Sequence, residues 1–223
     1  MFKIELKDCG KSFNRQWLFR NLSLNLETGE SWAVTGKNGA GKSTFMLMLA
    51  SQLLPTEGSI VRKNNNGNIP LEQAFSTCSL ASPAMELPDE FSATDLFRLQ
   101  EKVKPFRMVN AADEFAEMAG FNQSTMNKAL GFYSSGMKQR LKLALAVFSD
   151  TPLLLLDEPL TNLDKTGEYF FSITHRKAHL KQIGGGGRKQ RGRIQFLSEK
   201  NSNCLSADLI SRSVFQWKFR FPR

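Results

Sequence analysis

The stretch GKNGAGKST, from Gly36 to Thr44, decides how the rest of the chain is interpreted. It fits the pattern G-x-x-x-x-G-K-[ST], follows the apolar run SWAVTG and opens the apolar run KSTFMLMLASQLL. A strand, a glycine-rich turn and a helix in this order are typical of a phosphate-binding loop, because the turn wraps an anion with backbone N–H groups and the helix N-terminus adds partial positive charge. The alternative is a glycine-rich turn that binds nothing.

Two side chains of this loop have distinct chemistry. The Lys42 ammonium would reach the β- and γ-phosphates of a nucleotide, and the Ser43 hydroxyl would ligate Mg²⁺. The other predicted nucleotide contacts in the loop are Gly36, Lys37, Asn38, Gly39, Ala40, Gly41 and Thr44.

The run PLLLLDEP, from Pro152 to Pro159, predicts a short buried strand that ends in two carboxylates. A buried carboxylate is costly unless it meets a cation, so we expect Asp157 to hold the Mg²⁺ shell. Glu158 would orient or deprotonate an attacking water molecule. Taken alone, the run could also be a strand followed by a solvated turn.

The segment YSSGMKQR, from Tyr133 to Arg140, opens a long helical pattern with a serine and small residues. Such a start is another anion-binding helix N-terminus. By itself it could equally be an ordinary N-capped helix.

Together these segments resemble the ATP-binding cassette (ABC) ATPases over roughly residues 1–164. GKNGAGKST looks like the Walker A loop, YSSGMKQR like the signature, LLLLDEP like Walker B and TNLD (161–164) like the D-loop. The resemblance implies ATP and Mg²⁺ as ligands, with Lys42 and Glu158 as catalytic residues. It also implies that Phe13 stacks on adenine, although Phe13 could instead be a core residue of the strand-rich subdomain.

The same resemblance implies a head-to-tail pair of ATPase domains, as a homodimer or a heterodimer. Ser134 and Gly136 of one subunit would then contact the γ-phosphate that the other subunit's Walker A loop holds. This family carries a glutamine after the strand that follows the Walker A helix, which AFSTCSL (74–80) would form here. Ser82 is the best-aligned position for that glutamine. Its shorter hydroxyl cannot span to Mg²⁺ and the attacking water, which puts the coupling between hydrolysis and a partner in question.

The fold class predicted is α/β, a P-loop NTPase with a mainly parallel sheet, an N-terminal antiparallel β-subdomain and a helical subdomain at about 89–145. FKIEL and LSLNL alternate apolar and polar residues, as half-buried strands do. Later strands alternate with helices, which favours a parallel sheet covered on both faces. The polar stretch RKNNNGN (62–68) predicts a loop.

The net charge of +9 is unevenly distributed along the chain. Residues 1–164 carry 17 Lys+Arg against 18 Asp+Glu, a net of −1, whereas residues 165–223 carry 13 against 3, a net of +10. We therefore predict an ABC domain over 1–164 and a divergent, atypical basic tail over 165–223. The reading frame could have been interrupted near Gly167, or the tail could be a real extension that contacts nucleic acid or anionic lipid.

His175 ends the run FSITH, which resembles a strand with the family's switch histidine. It follows Asp164 by only 11 residues. A parallel strand needs a crossover of about a dozen residues or more, usually helical. We interpret His175 as a look-alike. RIQFLS (193–198) could be the missing strand, but Glu199 follows it where a histidine is expected.

The function predicted is ATP binding and hydrolysis as the nucleotide-binding subunit of an ABC transporter. No apolar stretch reaches the ~18–20 residues of a membrane span, so the partner expected is a separate transmembrane permease, and the location expected is cytoplasmic, at the inner face of the membrane. Nucleic acid is not an expected partner. The alternatives are a soluble ABC-type ATPase that acts on nucleic acid or ribosomes, and a truncated or frameshifted inactive remnant.

Overall fold

A computed structural model describes residues 1–36, 38–107, 109–163 and 167, together with the backbone of a strand at 194–199. The strands are β1 Lys3–Phe13, β2 Gln16–Glu27, β3 Ser31–Thr35, β4 Glu57–Asn64, β5 Gly67–Ile69, β6 Cys78–Ala81, β7 Leu153–Asp157 and β8 Ile194–Glu199. The α-helices are α1 Lys42–Leu49, α2 Leu71–Ala74, α3 Ala93–Val103, α4 Ala112–Ala119, α5 Gln123–Met126 and α6 Ser135–Phe148. The described residues fall into two compact units, one built from 1–80, 152–157 and 194–199, the other from 81–151 and 158–163.

The first unit contains an antiparallel sheet with the strand order β2-β1-β4-β5. Ile4 and Leu6 are buried, as the alternation in FKIEL predicts. Asn14 and Arg15 join β1 to β2 with positive φ angles of 48° and 64°, the backbone that a tight two-residue hairpin needs. The predicted antiparallel β-subdomain is confirmed.

The loop predicted at residues 62–68 is wrong. β4 continues to Asn64, and β5 begins at Gly67 and pairs back on it, with Arg62 opposite Ile69. The polar composition reflects an exposed hairpin turn, in which Gly67 adopts a φ of 115°. Strand pairing outweighs the low strand propensity of asparagine here.

The first unit also carries a sheet of order β3-β8-β7-β6. β8 runs parallel to both β3 and β7, so the mainly parallel sheet is confirmed. All five residues of β7 are buried, and α1 contacts this strand. The strand that RIQFLS could supply exists as β8, between β3 and β7.

The second unit is mainly helical. α3 begins at Ser92 with a capping box that involves Asp95, and α4 ends at Gly120, which has a φ of 70°. The rings of Phe97, Phe106, Phe115 and Phe148 pack together, with neighbouring centroids 4.8–5.6 Å apart. The helical character predicted for this part of the chain is confirmed, whereas the subdomain limits of 89–145 stay a prediction.

Most of the tail lies outside the described residues. Asp164, His175 and the residues on either side of Gly167 also lie outside them, so the interpretations of the switch histidine and of the frame interruption stay predictions. In the described ranges, no helix combines the length and apolar character needed to cross a membrane.

Candidate functional site

The glycine-rich loop leaves the carboxyl end of β3 and leads directly into α1. Gly39 and Gly41 have φ angles of 77° and 92°, which L side chains rarely adopt. Gly41 is the N-cap of α1, and its carbonyl accepts a hydrogen bond from the Phe45 N–H at 2.8 Å. The loop therefore has the backbone that its glycines allow and ends at a helix N-terminus. Lys37 lies outside the described residues.

Lys42 closes this loop. Its Nζ donates a hydrogen bond to the Gly36 carbonyl at 2.9 Å, and the residue is only 6% exposed. The ammonium thus lies against the first residue of the loop. Ser43 is exposed and Thr44 is half-buried in the first turn of α1. The Lys42 ammonium is therefore buried against the loop, whereas Ser43 is exposed to solvent.

Asp157 lies at the carboxyl end of β7 and is 3% exposed. It pairs with Ser198 of β8, and the same Ser198 pairs with Val34 of β3. Because neighbouring strands are about 4.8 Å apart, the backbones of Asp157 and Val34 are roughly 10 Å apart at one edge of the sheet. The phosphate loop begins two residues after Val34, so Asp157 and the loop occupy the same edge.

The oxygen ligands at this edge suit Mg²⁺. A carboxylate and a hydroxyl are the hard donors that Mg²⁺ takes, and it commonly binds through one or two protein groups plus substrate phosphates. No group of three or more His, Cys, Asp or Glu that could hold a metal occurs in the described part of the chain. By donor type, the Ser43 hydroxyl and the Asp157 carboxylate fit Mg²⁺, and their binding of a metal ion stays a prediction.

Glu158 follows Asp157 with a φ of 44°, a left-handed backbone that costs a non-glycine residue of order 1–3 kcal/mol. Its Oε2 accepts a hydrogen bond from the Thr161 hydroxyl at 3.2 Å. This contact and the unusual backbone fix where the Glu158 carboxylate points. Such backbone strain clusters at functional sites.

The start of α6 belongs to the second unit. Ser134 is the exposed N-cap, and its Oγ accepts a hydrogen bond from the Met137 N–H at 3.2 Å. A Cβ at Gly136 would lie 2.9 Å from the Asn162 carbonyl oxygen, so this position has room for glycine only. The N-capped helix is therefore real, and its first turn lies directly against the segment that follows Glu158.

Phe13 ends β1 at the tip of the first hairpin and is 47% exposed. The alternative that it is a core phenylalanine is wrong, because the hairpin carries it beyond the packed part of the sheet. Lys11 Nζ lies 5.0 Å from the centre of its ring. Stacking of this ring on adenine stays a prediction.

Two polar side chains in the middle of α6 were missed by the sequence analysis. Gln139 and Lys142 are 1% and 8% exposed. Gln139 Nε2 donates to the Pro159 carbonyl at 3.2 Å, and Lys142 Nζ donates to the Ser82 carbonyl at 3.0 Å. Lys142 carried one sequence signal, its place in the apolar run LKLALAVF, whereas Gln139 lies between Lys138 and Arg140 and carried none. Ser82 itself is buried, and its Oγ accepts from the Ala84 N–H at 3.3 Å.

The comparisons with known proteins agree with this geometry. The model of the family described as ABC transporter matches residues 19–161. The chain is 32% identical over 173 residues to the uncharacterized ABC transporter ATP-binding protein YxlF of Bacillus subtilis, covering 74% of this chain and 55% of that protein. It is 31% identical over 167 residues to the bacitracin transport ATP-binding protein BcrA of Bacillus licheniformis, with 74% and 53% covered. The chain thus spans about half the length of these two relatives.

Another relative and two solved structures extend the match. The cytochrome c biogenesis ATP-binding export protein CcmA of Brucella abortus is 27% identical over 185 residues, with 82% of both chains covered. The dimeric ATP-binding cassette MJ0796, bound to ADP and Pi, superposes with a TM-score of 0.71 at 20% identity, with 90% and 89% covered. An ATP-binding subunit of an ABC transporter superposes with a TM-score of 0.69 at 21% identity, with 87% and 78% covered. These two structures establish the likeness of fold.

Proposed function

The chain belongs to the ABC transporter family, and from that premise we propose that it binds and hydrolyses ATP as the subunit that energises a separate transmembrane permease. One observation carries the proposal. The phosphate loop and Asp157 follow the carboxyl ends of β3 and β7, with only β8 between these strands. A glycine-rich loop and a buried carboxylate at one edge of one sheet support the binding of a triphosphate there.

Binding would use the backbone of residues 36–44, whose N–H groups surround the β- and γ-phosphates. Lys42 would exchange its contact with the Gly36 carbonyl for phosphate oxygens. Ser43 and Asp157 would hold Mg²⁺, which when bound supplies positive charge to the phosphate oxygens. Phe13 would stack on the adenine ring from its exposed position on the hairpin.

Hydrolysis would use Glu158 as the group that orients the attacking water and accepts its proton. The Thr161 hydroxyl supports this role, because its hydrogen bond to one carboxylate oxygen helps to hold the Glu158 side chain in place. The contribution expected of such a base is about 10²–10⁴-fold in rate.

A second copy, or a related ATPase domain, would complete the site. Ser134 is exposed at an N-cap and Gly136 allows close backbone approach, so the start of α6 could contact the γ-phosphate bound by the partner. The subunit would then work at the inner, cytoplasmic face of a membrane beside its permease.

The charge of residues 165–223 favours a second candidate function, a soluble ABC-type ATPase that acts on nucleic acid or ribosomes. These residues carry a net charge of +10. Co-purification separates the two functions, since a permease partner predicts recovery with membranes and the alternative predicts recovery with ribosomes. The domain over 1–164 and the foreign origin of the tail stay proposals. Sequencing the gene around codon 167 and translating the other two frames tests them.

The proposed activity is tested with three purified proteins, the unmodified chain, Glu158→Gln and Lys42→Ala. We expect Glu158→Gln to bind Mg-ATP about as tightly as the unmodified chain and to lose turnover by about 10²-fold or more. Lys42→Ala should lose ATP affinity, because the cation that reaches the phosphates is gone. Full affinity in Lys42→Ala, or full turnover in Glu158→Gln, would contradict the assignment. An unmodified chain that binds no ATP would leave the inactive remnant as the better description.

A further inference from the structure

Lys142 is a buried cation that the proposed mechanism does not use. It lies in the middle of α6 between the buried residues Leu141 and Leu143 and is 8% exposed. Its Nζ donates hydrogen bonds to three carbonyls of one short segment, those of Ser82 at 3.0 Å, Pro83 at 3.3 Å and Met85 at 3.1 Å. The ammonium has three N–H donors, so this segment occupies all of them.

Burial of this ammonium is costly, and the carbonyl oxygens offset the cost. Burial, and secondarily the charge of Lys138, lower the pKa of Lys142 below its usual range. None of the ion pairs within the described residues involves Lys142. A cation held only by main-chain oxygens loses its compensation if the segment moves away. The lysine and the segment therefore stabilise one arrangement together.

Residues 82–85 also form a turn that has its own internal hydrogen bonds. The Met85 N–H donates to the Ser82 carbonyl at 3.1 Å, and the Ala84 N–H donates to the Ser82 hydroxyl at 3.3 Å. The Ser82 hydroxyl thus accepts a hydrogen bond inside its own turn, and Lys142 contacts the turn through three carbonyl oxygens.

α6 connects this turn to two other segments of the second unit. About 12 Å separate Lys142 from Ser134 at the start of the helix, at 1.5 Å per residue. Between them, Gln139 donates to the Pro159 carbonyl, and Gly136 lies against the Asn162 carbonyl. The signature, the segment after Glu158 and the turn after β6 are therefore attached to one rigid helix.

We propose that Lys142 is a positioning residue for ATP turnover, which fastens the Ser82–Met85 turn to α6 so that the turn and the signature start move as one body. The inference rests on the proposed function. The link runs from the turn to α6 through a lysine and three carbonyls, and it differs from the contact with Mg²⁺ and water that the Ser82 side chain is too short to make. The loop proposed to bind a copy's own nucleotide belongs to the first unit, so loss of Lys142 should leave ATP affinity nearly unchanged.

The test compares the full chain with three variants. Lys142→Met keeps the length of the side chain and removes its donors, and Lys142→Arg keeps a charged donor. Lys138→Met is the matched control, because Lys138 lies one turn earlier on the same helix and pairs with the exposed Asp89 at 2.6 Å. Hydrogen exchange of peptide 81–86 is measured without nucleotide, and kcat and KM for Mg-ATP are measured separately.

In Lys142→Met, we expect the amide hydrogens of this peptide to exchange about tenfold faster or more. We also expect kcat to fall by about 10- to 100-fold while KM stays within about twofold, since small displacements of positioned groups have effects of this size. Lys142→Arg should retain most of kcat, and Lys138→Met should match the unmodified chain in both measurements. Unchanged exchange in Lys142→Met would overturn the proposal. So would faster exchange with unchanged kcat, because Lys142 would then be structural only.

If Lys142→Met does not fold, Lys142→Gln, which keeps an uncharged donor, replaces it in both measurements. If neither folds while Lys142→Arg does, the role is stability of the fold and the proposal is overturned. Absence of turnover in the unmodified chain would refute the proposed function and with it a role in turnover. The exchange data would then still show whether Lys142 fastens the turn.

Discussion

Arg62 gives the most direct test of how the phosphate-loop helix is held in place. It lies on β4 and is 4% exposed, and its Nη2 donates to the Leu49 carbonyl at 2.6 Å and the Met48 carbonyl at 3.2 Å. These are the last two residues of α1, whose first turn carries Lys42. A cation at this end also complements the partial negative charge of the helix C-terminus.

The substitution Arg62→Met keeps a long apolar stem and removes the donors, so its cost is the balance between the lost hydrogen bonds and the desolvation cost that is removed. A hydrogen bond from a charged donor contributes about 1.5–3 kcal/mol. The Met48 carbonyl retains a hydrogen bond from the Ser51 N–H at 3.1 Å, so the main loss falls on Leu49. Against this, burial lowers the pKa of Arg62, and replacing a buried ion by an apolar side chain removes a desolvation cost. We expect a net loss of about 2 kcal/mol, because the Leu49 carbonyl stays buried.

Urea unfolding of the unmodified chain, Arg62→Met and Arg62→Lys measures this balance. Arg62→Lys keeps the charge with a different donor geometry and should fall between the other two. ATP affinity of folded Arg62→Met reports whether the loop depends on this cap. If Arg62→Met were as stable as the unmodified chain, or more stable, desolvation of the guanidinium would outweigh its hydrogen bonds, and the argument would be refuted.

Two further predictions concern the backbone and a helix cap. Gly58 has a φ of 77°, and a Cβ there would lie 2.3 Å from the Lys7 carbonyl oxygen. Gly58→Ala should therefore lower the free energy of unfolding by about 3 kcal/mol in a urea titration. The control Gly29→Ala, at a φ of 98° with open space around the new Cβ, should lower it by about 1 kcal/mol in the same titration. Equal losses of stability in Gly58→Ala and Gly29→Ala would contradict this prediction, because the clash with the Lys7 carbonyl would then have been relieved. The Ser92 hydroxyl hydrogen-bonds to Asp95 and thereby lowers the pKa of the Asp95 carboxyl. The ionised Asp95 carboxylate therefore contributes its full stabilisation above the unfolded pKa of about 3.9, and this stabilisation is lost as pH falls through the lower folded pKa. Asp95→Asn should therefore be less stable than the unmodified chain at pH 7 and approach it in stability at acid pH, and a difference that persists at low pH would contradict this.

Much of the fold follows from rules that act between residues close in the chain. The apolar run before two carboxylates predicts β7, and the serine and small residues of YSSGMKQR predict the N-capped start of α6. The glycines of the phosphate loop likewise predict the backbone found there. These features depend on φ angles, on capping hydrogen bonds and on apolar periodicity, all of which a short window of sequence contains.

The failures have a common physical cause. Asn64 and its neighbours read as a loop because asparagine disfavours strands, but pairing with β5 supplied backbone hydrogen bonds that the sequence does not display. Phe13 left two interpretations open because hydrophobicity alone does not tell how far a hairpin extends. Lys142 resembles a surface lysine until the segment around Ser82, 60 residues away, is brought against it.

The sequence by itself determined the chemistry that the chain can offer, namely a phosphate loop that ends in Lys42 and Ser43 and a carboxylate pair after an apolar strand. Tertiary structure alone decided that β8 lies between β3 and β7 and thereby sets Asp157 two strands from the loop, that Phe13 is exposed, and that carbonyls rather than carboxylates hold Lys142. The division is physical, since local backbone preferences are encoded residue by residue. Strand order and the partners of buried charges depend instead on which distant segments exclude water together.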